Sequence, residues 1–117
     1  MDVAVSLWEA LASQVISVVG EGGFDSLFSR SVFLGQSEFP WLAEIAHFPK
    51  TAGRFEPLQT CLKKQTTALA DAANSQLLVS FIGIIASIIG DQLTMSILRL
   101  AWGNEVMDAV NKEFKNE

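Results

Sequence analysis

The stretch Leu77–Gly90, LLVSFIGIIASIIG, holds fourteen residues without a charge, and it constrains this chain more than any other feature. A membrane-spanning helix needs about 20 such residues. This one falls short, bounded by Asp71 and Asp91. A short helix that is apolar all round has the pattern of a core element enclosed by other helices. The expected architecture is therefore all-α: one helical domain over residues 1–117, a compact bundle of four to six helices around a buried apolar central helix from Leu77 to Ile89. Read in isolation, Ile82–Ile89 also suits a buried strand. Its helical context, and the absence of any Asn-Gly or Asp-Gly turn, favour the helix.

Half of the 117 residues are apolar and only 18% are charged, which excludes a disordered chain. A domain of this length buries roughly two-thirds of the surface its unfolded form exposes, so a core forms without staples or a metal. Thirteen Asp and Glu against eight Lys and Arg leave a net charge of −5. The basic residues are scattered, Lys63-Lys64 being the only adjacent pair, so no nucleic-acid partner is expected. The single cysteine, Cys61, excludes an intramolecular disulfide and points to a reducing, cytoplasmic location. Met1-Asp2 lacks the basic start of an export signal. The apolar run Val3–Val19, interrupted by Ser6, Glu9, Ser13, Gln14 and Ser17, is expected to be a folded helix.

Along the chain no repeat, low-complexity tract or linker is evident. The first helix is expected to end at Gly20, Gly22 and Gly23, because glycine readily adopts the conformation that closes a helix. A second begins near Phe24-Asp25-Ser26 and stops by Gly35. Pro40 at a first helical position predicts a short segment over Trp41–Ala46. His47–Glu56 is the longest expected loop, and helix resumes at Pro57. Leu58, Leu62, Gln65, Leu69, Ala72 and Gln76 alternate steps of four and three, a weak heptad-like seam on one continuous helix. Asn74-Ser75 either caps a new helix or sits on an exposed face. After Gly90 a helix is expected over about Asp91–Trp102. Gly103-Asn104 then separates a terminal amphipathic helix with Val106, Val110 and Phe114 as its buried face.

One feature is more specific than composition. On a helix continuous from Gln76 to Thr94, the residues Gln76, Ser80, Gly83, Ser87, Asp91 and Thr94 form a single line among Leu, Val, Phe and Ile. Serine and glycine are poor helix formers, and an interior glycine costs about 1 kcal/mol relative to alanine. Close approach of a second helix would offset that cost. The first expectation is a partner helix within the same chain. The sharper one makes Ser80, Gly83, Ser87, Asp91 and Thr94 an interface between subunits, and a ligand channel is a third.

Constellations for chemistry are missing. Nucleophilic catalysis needs a base within reach of the nucleophile, and the only histidine, His47, stands beside Phe48-Pro49 with no motif around it. Gly20-Glu21-Gly22-Gly23 precedes a helix, but it carries an acid and no lysine, so a turn is expected rather than a phosphate site. Neither paired cysteines nor a His-x-x-x-His occurs, so no metal or cofactor is expected and no catalytic residue is assigned. Asp91 and Arg99 are read as structural charges, too far apart on one helix to pair at about 12 Å. Asp91 is expected to cap the following helix, and Arg99 to pair with an acid of another helix or with terminal carbonyls. Phenylalanines concentrate between residues 24 and 55. Phe24, Phe28, Phe33 and Phe39 with Trp41 are candidates for a ligand or partner patch, against simple core filling.

These readings favour a non-enzymatic regulatory or adaptor protein that works through protein–protein contact, as a homodimer or docked on a partner through apolar helix faces. Two alternatives stand beside it. One is a helical protein in contact with membrane or lipid, and the other is a sensor of a small apolar ligand using the phenylalanine-rich region.

Overall fold

Single glycines, Gly20, Gly90 and Gly103, turn this chain without a loop. Gly20 (φ 83°, ψ 167°) and Gly90 (φ 90°, ψ 160°) occupy a backbone region closed to residues with a Cβ, and helix resumes at the next residue in both places. In the computed structural model, which describes residues 3–49 and 51–115 with side chains as far as Gly103, five helices follow one another. They are α1 (Val3–Gly35, bent at Gly20), a 3-10 helix (Pro40–His47), α2 (Glu56–Lys63), α3 (Thr67–Ile89) and α4 (Asp91–Lys115, bent at Gly103). The described residues contain no strand, so the fold is the expected all-α bundle.

α3 packs mainly against α1, and α4 crosses both. Their common core is aromatic. Trp8 meets Phe28 and Phe81 edge-on at 5.0 and 5.4 Å between centroids, and Phe24 lies 5.2 Å from Phe81. Phe55 arrives from the turn before α2 and meets Phe28 edge-on at 5.6 Å. Such pairs contribute about 0.5–1.5 kcal/mol each beyond the area they bury. Leu11, Val15, Leu77, Ile85 and Leu98 fill in around them. Two polar bonds tie the layers: the Trp8 indole donates to Asn74 Oδ1 at 2.8 Å, and the Trp102 indole donates to the Leu7 carbonyl at 2.9 Å.

Several local expectations change. The Gly20–Gly23 turn shrinks to Gly20 alone, since only that residue leaves helical geometry. Gly23 stays helical and close to its neighbour: an added Cβ would lie 3.0 Å from Val19 Cβ, which would have to shift by a few tenths of an ångström. The seam from Leu58 to Gln76 does not lie on one helix. α2 ends at Lys63, and Thr66 caps α3 by accepting from the Leu69 amide at 3.2 Å. Leu58 and Leu62 are buried, whereas Leu69 and Ala72 are exposed. Asn74-Ser75 does not interrupt α3, because the Asn74 amide is used inward by Trp8 instead of capping. The break expected after Trp102 is borne out: Gly103 leaves helical geometry (φ 83°, ψ 170°), and α4 consists of two helical stretches that meet there. The expected buried face at Val106, Val110 and Phe114 lies outside the described side chains.

A repeat missing from the sequence reading emerges from the bends. Every position from 11 to 20 has the same buried, half-buried or exposed state as the position seventy residues further on, from 81 to 90. Ser17 and Ser87 each donate to a carbonyl three residues back, at 2.6 Å in both cases. Gly20 and Gly90 follow with nearly the same dihedrals, then an acid, Glu21 or Asp91. Between 11 and 28 and their counterparts only Ser17, Gly20 and Ser26 are identical, too few for the sequence to display the relation.

Candidate functional site

The break at Gly90 takes the expected line of small residues off a single helix and folds it around a cleft. Ile82, Gly83, Ala86 and Ser87 from α3, with Asp91, Thr94 and Met95 from the start of α4, border a half-open, mostly apolar cleft of about 620 Å³. Four of the five interface candidates thus meet at one place: Gly83, Ser87, Asp91 and Thr94. Ser80 stands apart on α3, half-buried, where it accepts from Gln76 Nε2 at 3.5 Å.

Each lining group has a physical reason for its position. Ser87 and Thr94 turn their hydroxyls back on their own helices, donating to the Ile84 and Gly90 carbonyls at 2.6 and 2.7 Å. That leaves their hydroxyls already satisfied. Gly83 forms open floor, for a Cβ built there meets no atom within 4 Å. Among the described residues no partner helix, the first expectation for this stripe, packs on Gly83. Asp91 is exposed at the first helical position of α4, with Gly90 and not Asp91 at the cap. Its carboxylate favours the positive end of that helix and forms no ion pair among the described residues. Arg99, one shallow depression away with Asp91, Gln92, Met95 and Ser96, is exposed and has no ion pair among the described residues either.

The aromatic candidates divide. Phe24, Phe28 and Phe39 are buried, turned to other rings, and Trp41 is half-buried beside Phe39 at 5.9 Å. Phe33 differs: it is 63% exposed on the last turns of α1, with the Arg30 guanidinium 5.7 Å above its ring. Burial pushes the Cys61 thiol up, helped by the Glu44 carboxylate and opposed by Lys64. His47 ends the 3-10 helix in an exposed position. Among the described residues no three His, Cys, Asp or Glu side chains gather around one point.

Sequence reasoning missed a second cleft, about 520 Å³, between α1 and the turn leading into α2. Ala12, Ser13 and Ile16 line one wall, and Gly53, Arg54 and Phe55 the other. Arg54 Nε donates to Asp25 Oδ1 at 3.2 Å, and its Nη2 lies 3.9 Å from Glu21 Oε1. No sequence signal pointed to it; the burial pattern alone makes Ala12, Ser13 and Ile16 the counterparts of Ile82, Gly83 and Ala86. Compared with protein families, characterised proteins and solved structures, the chain matches none.

Proposed function

We propose that this protein is a non-enzymatic interaction module, a small regulatory or adaptor protein whose docking site is the cleft at the Gly90 bend. The observation that carries this reading is Gly83. An interior helix glycine costs about 1 kcal/mol relative to alanine, no described residue packs on it, and it opens an apolar floor beside the Asp91 carboxylate. Concave apolar surface with a few convergent polar groups suits recognition. The free, buried Cys61 is consistent with a reducing cytoplasm.

A photo-crosslinking residue at position 87, compared with one at exposed Glu38, tests the reading in cells. One discrete protein adduct at 87, reproduced with purified components and abolished by Gly83→Leu, is the expected result. Equal adducts at both positions, or none at 87, would overturn it.

Contact with lipid is a second reading, favoured by a separate observation. α1 and α3 each contain eighteen-residue stretches of mean hydropathy 1.5 and 1.8, most of them uncovered by protein, with Val18, Val79 and Ile88 exposed. Flotation with phosphatidylcholine–phosphatidylglycerol vesicles separates the two. Quantitative recovery with the vesicles supports lipid contact, and recovery at the bottom of the gradient rejects it.

A further inference from the structure

We draw no further inference here: the strongest candidate, the open cleft between α1 and the turn into α2, is lined by exposed groups of both charges, Glu9 and Glu56 with Arg54, and nothing in the structure shows what covers it.

Discussion

The Trp8 indole N–H donates to Asn74 Oδ1 at 2.8 Å inside the bundle, joining α1 to α3 across sixty-six residues. Trp8 is fully buried and Asn74 nearly so, which makes each the other's only means of satisfying a polar group away from water. Removing one partner strands the other, at about 1–3 kcal/mol. Asn74→Ala is expected to lower stability by that amount. Trp8→Phe/Asn74→Leu should cost less than the two single changes together, the non-additivity being read from urea midpoints in a double-mutant cycle.

Glycines of this chain are expected to respond in opposite directions. Gly20→Ala and Gly90→Ala force a Cβ into backbone near φ 83° and 90°, with an expected loss of about 1–3 kcal/mol each. Gly83→Ala adds a methyl to helical backbone with empty space around it, and should stabilise by up to about 1 kcal/mol. Thermal unfolding of the three variants checks both signs at once. A destabilised Gly83→Ala would mean that something in the chain does pack on that face.

Gly35 gives a packing prediction of a different kind. It is buried at the end of α1, where an added Cβ would lie 3.0 Å from Leu42 Cδ1 and 3.4 Å from Leu77 Cδ2. Gly35→Ala is expected to cost about 1–3 kcal/mol through overpacking. Shortening the neighbour in Gly35→Ala/Leu42→Val should recover part of it, measured by chemical denaturation.

Arg54 should matter less to stability than its three contacts suggest. Glu21 and Asp25 are mostly exposed, and exposed pairs contribute about 0–1 kcal/mol. Arg54→Ala is expected to cost about 1 kcal/mol, with the stacking over Phe24 included. The part owed to charge should fade between low salt and 1 M salt.

Burial raises the Cys61 thiol above its ordinary range, so the folded protein keeps that proton when the unfolded chain has already released it. This contribution to stability is complete below the ordinary thiol value and declines as pH rises through it toward the folded one. Cys61→Ser removes that pH dependence, and denaturation midpoints between pH 7 and 10 should show a shallower fall than wild type. Ellman's reagent should label native Cys61 slowly, and at full rate once urea unfolds the chain.

Much of the element order was legible in the residues. Gly20, Gly35 and Gly90 mark real helix ends or bends because the left-handed backbone they adopt, or the tight contact they permit, excludes other residues. Pro40 and Pro57 open helices because their missing N–H falls where none is needed. Periodicity misled between Leu58 and Gln76, where two helices in succession keep the spacing of one. It also misled from Gln76 to Thr94, where a one-residue bend leaves the step pattern intact while redirecting the axis.

The residues by themselves determined that this chain is helical, where it turns and that its charge is acidic, since those properties depend on backbone conformation and composition within a few positions. Only the tertiary structure decided which face of an all-round apolar helix is covered. α1 and α3 offer no polar side to distinguish inward from outward, so the choice falls to whatever arrives from far along the chain. Arg54 and Phe55, some thirty residues beyond the first bend, form one wall of the cleft beside α1, a neighbourhood that no local pattern in the sequence announces.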